Sequence, residues 1–147
     1  MSEASFATQE WLDQFRGQLS SSSEYLSATS HWNDDALYVI DADPDIGFPE
    51  PVGYYIKWKS GEIVEAKAVA NPPPDSAVFV VRARYSIWEE AYRTKADVGV
   101  ALLTGKFQFQ GPFAKAAANV VGEVMMLETA YTIPTRFLSS STPAPSQ

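Results

Sequence analysis

The side chains in this sequence that come nearest to an acid–base site are His31, Asp34 and Asp35, which are close together in the chain. A histidine can act as a general base when a carboxylate orients its ring. No serine or cysteine nucleophile motif lies nearby, and neighbours in a polar loop have no fixed mutual geometry. The pattern therefore favours solvated charges after a helix, and we predict no catalytic residue.

Asp41, Asp43 and Asp45 alternate in the way that calcium ligands do. An EF-hand loop also needs a glycine at its sixth position and a glutamate at its twelfth. Those positions hold Ile46 and Val52, so an Asp-Pro-Asp turn is the better interpretation. Because the chain has one histidine and no cysteine, we predict no metal site and no cofactor.

Two further charged pairs have residue types that occur in binding or catalytic sites. Glu89 and Glu90 are neighbours in a predicted helix, where they point about 100° apart and cannot face each other across a sugar. Arg82 and Arg84 share one face of a predicted strand. They could hold a carboxylate or phosphate head group at the mouth of a site, or pair with an acid on the sheet such as Glu65.

The composition is that of one acidic domain. The 147 residues include 18 acidic and 11 basic side chains, a net charge of −7, which argues against a nucleic-acid partner. Residues 1–50 hold ten acids and one base, a net charge of −9, and residues 51–147 hold eight acids and ten bases, a net charge of +2. The acidic part is expected to be a solubilising surface or, alternatively, a surface for a basic partner.

The termini and the hydropathy suggest where the protein works. No apolar run approaches the roughly 20 residues that cross a bilayer, so we expect no stable membrane insertion. The first residues lack the basic and apolar regions of a signal peptide, and Pro145-Ser146-Gln147 is not a peroxisomal signal. We expect a cytoplasmic protein with one domain over residues 1–137 and a disordered Ser- and Pro-rich tail over 138–147.

Hydrophobic periodicity predicts the order helix, four strands, helix, strand, helix. Thr8 is a suitable N-cap for a helix over Gln9–Leu19, and the serines after it precede a second short helix. The first four strands are predicted at Leu37–Asp41, Val52–Lys59, Glu62–Val69 and Ala77–Tyr85.

The second and third of these strands alternate around a Ser60-Gly61 turn, which predicts a hairpin with one dry and one wet face. Val64, Ala66 and Ala68 are expected on its dry face.

The last predicted helix is unusually apolar. Between its start at Pro112 and its end near Ala130, only Lys115, Glu123 and Glu128 are charged. A helix that is apolar nearly all round is normally buried on several sides. It is either an ordinary core helix or a lid whose inner face lines a ligand cavity.

A short strand between two glycines precedes that helix. The strand belongs to a longer pattern in which a tryptophan is followed by Leu-x-Gly-Lys-aromatic-x-aromatic-x-Gly. The residues at the matching positions are Trp88, Leu103, Gly105, Lys106, Phe107, Phe109 and Gly111. This pattern, placed after four predicted strands and a helix, resembles the sterol carrier protein-2 (SCP2) lipid-binding domain over roughly residues 10–131. The resemblance implies an α+β fold in which helices cover a five-stranded, mostly antiparallel sheet and enclose an apolar tunnel. It also implies non-catalytic binding, with or without transfer, of a fatty acid, acyl-CoA, phospholipid or sterol.

We expect such a tunnel to be lined by apolar and aromatic side chains of the last strands and helices. These are Phe79, Val81, Trp88, Tyr92, Leu102, Phe107, Phe109, Phe113, Ala117, Val120, Val121, Val124 and Met125. The aromatic residues among them also fit ordinary core packing, although a tyrosine hydroxyl could meet a lipid head group.

Two other functions remain open. A protein-interaction or scaffold module would have a filled core and would use the acidic half of the chain. A small acid–base enzyme on an α+β cone fold would need an isolated acid at an inward strand position, and the alternation assigns none. The apolar last helix could also pack against a second copy, so a homodimer is an alternative state.

Overall fold

The protein folds as a sheet with helices on one face. The structure is a computed structural model, and it describes residues 2–141 apart from the side chains of residues 98–100 and 140–141. The elements in chain order are β1 (Ala4–Ser5), α1 (Gln9–Ser20), α2 (Ser23–Ala28), β2 (Asp35–Asp41), β3 (Val52–Lys59), β4 (Glu62–Ala70), β5 (Phe79–Arg84), α3 (Tyr85–Thr94), α4 (Val98–Leu103), β6 (Gln108–Gln110), α5 (Phe113–Ala118), α6 (Val120–Ala130), β7 (Thr135–Arg136) and α7 (Leu138–Ser141).

The main sheet has five strands in the order β4-β3-β2-β5-β6. β2 and β5 run parallel, and the other neighbours run antiparallel. The predicted α+β fold with a five-stranded, mostly antiparallel sheet is therefore confirmed.

Local capping explains the first two helices. The Thr8 hydroxyl accepts a hydrogen bond from the Trp11 N–H at 3.3 Å, and the Ser22 hydroxyl accepts one from the Tyr25 N–H at 3.2 Å. Such bonds satisfy amide groups that a helix start leaves without partners. The side chains that α1 then buries are Trp11, Leu12, Phe15 and Leu19. Both helices lie where the sequence predicts them.

The inner face of the sheet, under the helices, is apolar and aromatic. One row of paired residues crosses all five strands and consists of Phe109, Val81, Tyr38, Tyr54 and Ala68. Strands lie about 4.8 Å apart, so this row leads from the β6 edge to the centre of the sheet within about 10 Å.

The hairpin of β3 and β4 departs from strict alternation at one place. The register shifts between Lys57 and Trp58, so that Trp58 pairs with Ile63. Ile63 is buried, whereas Val64 is 49% exposed. The prediction of Val64 on the dry face is thus wrong, because a β-bulge inserts one residue that a two-residue period does not anticipate.

The predicted single long helix at the end is instead the pair α5 and α6. The two meet at Asn119, whose φ of −109° and ψ of 19° leave the helical region. Asparagine favours turns and caps because its side chain competes for backbone groups. The helix therefore changes direction at a buried polar residue.

The two ends of the domain meet in a small parallel sheet that the sequence does not predict. Ala4 pairs with Thr135, and Ser5 pairs with Arg136. The Trp11 indole N–H donates to the Thr135 hydroxyl at 2.8 Å and ties α1 to the same place.

The first four residues of the predicted tail are described by the structure. Leu138–Ser141 form a helical turn, because Phe137 is buried and the Leu138 N–H donates to the Tyr85 hydroxyl at 3.0 Å. The rest of the predicted tail, residues 142–147, lies outside the described residues. Within residues 2–141, no helix has the length and hydropathy to cross a membrane.

Candidate functional site

The aromatic part of the predicted site assembles at the β5–β6 edge of the sheet. Phe109 pairs with Val81, and its ring centroid lies 6.0 Å from that of Phe79. The Phe107 ring meets the Trp88 ring edge to face at 4.7 Å. We call Phe79, Val81, Phe107 and Phe109 the inner wall. Phe79 is buried and the other three are half-buried, so part of this apolar surface is not covered by protein.

Trp88 and Tyr92 use their polar atoms within the fold. The Trp88 indole N–H donates to the carbonyl oxygens of Val39 and Ala83, both at 3.0 Å. The Tyr92 hydroxyl donates to the Ile133 carbonyl at 2.7 Å. These bonds fix α3 against the sheet and the segment before β7. They leave the Tyr92 hydroxyl engaged rather than ready to meet a head group.

The apolar stripe of α5 and α6 lies on the solvent side of these helices. Phe113 is 78% exposed, Val121 60%, Val120 53% and Val124 41%. Together with exposed Ala117 they form what we call the outer face. Spacings of three and four residues place them on one side of a helix. The sequence predicts these five residues as lining of an enclosed tunnel; in the structure they are open to solvent.

Of the two remaining residues predicted to line the tunnel, one is exposed and one is partly covered by the core. Leu102 on α4 is 38% exposed, whereas Met125 on α6 is half-buried and packs against the core.

The opposite side of α6, together with Asn119 before its first turn, is buried and partly polar. Asn119 is 2% exposed and Met126 5%, and Gly122 is buried between them. Glu123 lies on this side as well. We call Asn119, Glu123 and the facing Tyr38 of β2 the polar junction. An amphipathic helix normally turns its apolar residues inward, whereas here Met126 packs on the core and the valines of α6 and Phe113 of α5 face solvent.

Close packing holds α6 against the end of α2. A Cβ on Gly122 would lie 2.6 Å from Thr29 Cγ2 and 2.8 Å from Asn119 Oδ1. The Asn119 amide makes no hydrogen bond of normal geometry among the described residues, but it lies close enough to the Glu123 carboxyl group to influence its acidity.

Glu123 has an altered acidity. Burial raises the pKa of its carboxyl group to about 7, and the nearby polar groups of Tyr38 and Asn119 partly oppose that rise. Burial, together with the charge of Glu123, also raises the pKa of Tyr38. The Tyr38 hydroxyl lies 3.9 Å from Met126 Sδ.

Sequence reasoning missed the polar junction, although one signal was available. Asn119, Glu123 and Met126 follow one another at spacings of four and three residues and so share a helix face. That face also carries the charge of Lys115, one turn before Asn119. The sequence analysis did not use this spacing, because it assumed that the apolar stripe faces the core.

Two open clefts border the helices. One, of about 380 Å³, lies between α1, α2 and α6 and contains Met125 among mostly polar residues. The other, of about 370 Å³, lies between α3, α4 and β6 and contains Phe107, with Glu90 and Lys106 at its edge. Each cleft thus holds a single residue of the predicted lining.

Comparison with solved structures identifies the fold. A crystal structure of sterol carrier protein 2 superposes with a TM-score of 0.79 at 25% identity, covering 87% of this chain and 98% of that one. The chain is an SCP2-like domain. A solution structure of a Thermus thermophilus protein described as possibly a sterol carrier protein gives a TM-score of 0.78 at 24% identity, covering 92% and 94%.

A more distant solved structure shows only that the fold is shared, and two further comparisons found no match. The apo form of sterol carrier protein 2 from Yarrowia lipolytica gives a TM-score of 0.52 at 15% identity, covering 82% of this chain and 89% of that one. No protein-family model matches the chain, and no curated protein matches it in sequence.

The SCP2-like domain uses its candidate acid–base residues in surface contacts. Asp34 lies 3.4 Å from Lys115 Nζ. Asp35 accepts hydrogen bonds from the Tyr55 hydroxyl and the Val78 N–H, each at 2.7 Å. Among the described residues, His31 is exposed and forms no hydrogen bond with either aspartate.

The three alternating aspartates also have separate roles. Asp43 accepts from the Ser86 N–H at 3.1 Å, and its hydrogen bonds with Ser86 lower the pKa of its carboxyl group. Asp41 forms a two-point ion pair with Arg82, with distances of 3.1 and 2.5 Å, and Asp45 is exposed. No group of three metal-ligating side chains occurs in the part of the chain that the structure describes.

The two arginines of β5 do not border the inner wall. Arg82 and Arg84 alternate with Val81 and Ala83, so they point to the opposite face of the sheet. Asp41 is the partner that Arg82 takes there, rather than the predicted Glu65, which pairs with Lys67 at 2.9 Å.

Proposed function

We propose that this SCP2-like domain binds a lipid or another long apolar molecule without catalysis, on the apolar surface that the outer face of α5 and α6 and the exposed part of the inner wall present to solvent. The observation that carries this proposal is the solvent exposure of apolar side chains on α5 and α6. Five apolar side chains stand in solvent beside a half-buried aromatic wall, in a fold shared with sterol carrier proteins.

The energetics favour such an occupant. Burying a large apolar side chain from water is worth about 1.5–3 kcal/mol. Phe113, Val120, Val121 and Val124 leave much of that free energy unused in the structure. A long-chain ligand that brings the outer face and the inner wall out of water would recover part of it, less the cost of immobilisation. Fatty acid, acyl-CoA, phospholipid and sterol all offer the necessary apolar length.

Native mass spectrometry of the protein as purified from cells tests the proposal. We expect an added mass at near-stoichiometric amount, which organic extraction then identifies as a lipid. A clean mass without ligand, together with no rise in melting temperature on adding fatty acids or sterols, would overturn the proposal.

A protein-interaction module is the second candidate, because the outer face also suits a protein partner. The two functions differ in the molecule that would cover the exposed side chain of Val121, which is a ligand in the first and a protein in the second. Apolar ligand should leave the protein monomeric and raise its melting temperature. A homodimer would cover the outer face without any ligand, and its dissociation would depend on protein concentration. We also keep two predictions from the sequence, that the protein is not an enzyme and that it is cytoplasmic.

A further inference from the structure

The longest strand of the main sheet, β4, lies at its edge. An edge strand has a row of backbone N–H and C=O groups that no neighbouring strand takes, and such a row can pair with a strand of another molecule. Proteins often limit this pairing by keeping edge strands short, as the three-residue β6 is at the other edge. β4 has nine residues, so its free edge needs another kind of protection.

The side chain of Gln9, at the start of α1, occupies part of that edge. Its Nε2 donates to the Ala66 carbonyl at 3.1 Å, and its Oε1 accepts from the Ala68 N–H at 2.7 Å. A residue of a parallel neighbouring strand would bond the same two groups, the carbonyl of one residue and the N–H of the second residue after it. The Gln9 amide therefore takes the place of one residue of a further strand.

Two other contacts of α1 support this role. Gln9 Nε2 also donates to Asp13 Oδ1 at 2.9 Å, one turn along the helix, and this bond fixes the orientation of the amide. Arg16 Nη2 donates to the Ile63 carbonyl of β4 at 2.8 Å. Side chains of α1 thus bond the backbone of β4 at two places, and we call Gln9 and Arg16 the edge caps.

The part of β4 under the edge caps is complementary to itself. Because the Ala66 carbonyl points away from β3, two antiparallel copies of β4 can meet with Ala66 opposite Ala66. Glu65 of each copy then lies opposite Lys67 of the other. Moving the axis by one residue in either direction would instead place Glu65 or Lys67 opposite its own copy. Opposite charges in such cross-strand pairs stabilise a sheet, and like charges destabilise it.

These two charged side chains are also accessible to a second copy. Ala66 and Ala68 pack against the core, so Glu65 and Lys67 lie on the other face of the sheet. Within one chain they form an ion pair with each other at 2.9 Å, in which both side chains are exposed. Exposed pairs of this kind contribute little free energy, so exchanging partners between copies costs little.

We propose that the β4 edge is a surface for pairing with a second copy of this chain, and that Gln9 keeps this surface closed. Pairing would join the two main sheets across a two-fold axis at Ala66. Gln9 competes for the backbone groups of Ala66 and Ala68, so a second copy can pair only where the Gln9 side chain is withdrawn. The inner wall and the outer face take no part, so this proposal does not depend on lipid binding.

Sedimentation velocity of the full chain over a range of concentrations tests the proposal. Gln9→Ala removes the amide but keeps α1, because Thr8 is the residue that caps this helix. We expect this variant to self-associate about tenfold or more tightly than the unmodified protein, since each copy then has two free backbone groups to pair. Gln9→Glu should act in the same way, because it has no N–H for the Ala66 carbonyl. Gln18→Ala is the matched control at an exposed position of α1 and should not change association.

Charge reversal in the Gln9→Ala variant locates the interface. Lys67→Glu places like charges opposite each other in both cross-strand pairs and should weaken the dimer about fivefold or more. Adding Glu65→Lys exchanges the two charges and should restore the dimer, a gain that loss of folding cannot mimic. Association of Gln9→Ala and Gln9→Glu no tighter than that of the unmodified protein would overturn the proposal. So would a dimer that dissociates with Val121→Asp on the outer face but not with Lys67→Glu.

Discussion

Asn119 and Val120 are neighbours in the chain, yet Asn119 is 2% exposed and Val120 is 53% exposed. The backbone turns at this point so that the amide is buried and the valine meets solvent. Further along α6, Val121 and Val124 are exposed and Met126 is buried. The helix therefore packs on the core through Met126 and Met125, beside the buried Asn119, and leaves its valines in contact with solvent.

Val121→Asp tests that separation. Because Val121 is 60% exposed, we expect the free energy of unfolding to change by no more than about 0.5 kcal/mol. Binding of an apolar dye should fall about fivefold or more, since the site would have to desolvate a charge. Val64→Asp makes the same change at an exposed valine on β4 and should leave dye binding intact. A loss of several kcal/mol in urea unfolding of Val121→Asp would mean that this face is core.

Two glycines in helices should respond to alanine in opposite directions. A Cβ at Gly17 in α1 has nothing within 4 Å, so Gly17→Ala should stabilise the protein by about 0.5–1 kcal/mol. A Cβ at Gly122 would meet Thr29 Cγ2 at 2.6 Å, so Gly122→Ala should destabilise by about 1–3 kcal/mol despite the better helix propensity. Thermal and urea unfolding measure both, and equal stabilisation would show that α6 does not press on α2.

Glu123 should make stability depend on pH. Its folded pKa of about 7 lies above the ordinary 4.5, so the folded state binds the proton more tightly than the unfolded chain does. Its stabilising contribution is complete below about pH 4.5 and is lost as the pH rises through about 7, by at most about 3 kcal/mol. Glu123→Gln should remove this loss and raise the melting temperature at pH 8, whereas Glu128→Gln should not. Identical pH profiles of Glu123→Gln and the unmodified protein would contradict the buried carboxyl group.

The hydrogen bond between the buried residues Tyr25 and Trp58 should stabilise the protein more than the half-buried one between Tyr55 and Asp35 does. The Trp58 indole N–H donates to the Tyr25 hydroxyl at 2.9 Å, and both residues are 1% exposed. Tyr25→Phe leaves that N–H without its partner and should cost about 1–3 kcal/mol. Tyr55→Phe removes a half-buried hydroxyl that bonds Asp35 and should cost less than about 1 kcal/mol. The ranking of the two variants in urea unfolding is the measurement, and its reversal would refute this account.

Sequence patterns predicted most of the fold because its signals are local. Thr8 and Ser22 cap helices, and β3 alternates from Val52 to Lys59 as expected. The bulge at Val64 was not predictable, since it depends on the register between two strands. The short strands β1 and β7 have too few residues for any periodicity.

The candidate site was predicted less well, for a different reason. The identities of the inner-wall and outer-face residues came from the sequence, but their orientation did not. The composition of a helix shows that it is apolar. Which of its sides faces the core depends on the residues of other elements against which it packs. The close approach of Gly122 to Thr29 decides that side here, and as a result Asn119 is buried and Glu123 is half-buried.

The pairing of Ala4 with Thr135 has a consequence for how this protein is made. On the ribosome the first strand emerges about 130 residues before the one it pairs with. During that time the aromatic stripe of α1, with Trp11 and Phe15, has neither β7 nor α6 to cover it. Trp11 can stack on Tyr54 once β3 and β4 have been made, but the stripe stays only partly covered until α6 and β7 follow, and such transiently exposed apolar surface is the kind that chaperones bind. Closure of the domain is a late event, completed only when the last strand has left the exit tunnel.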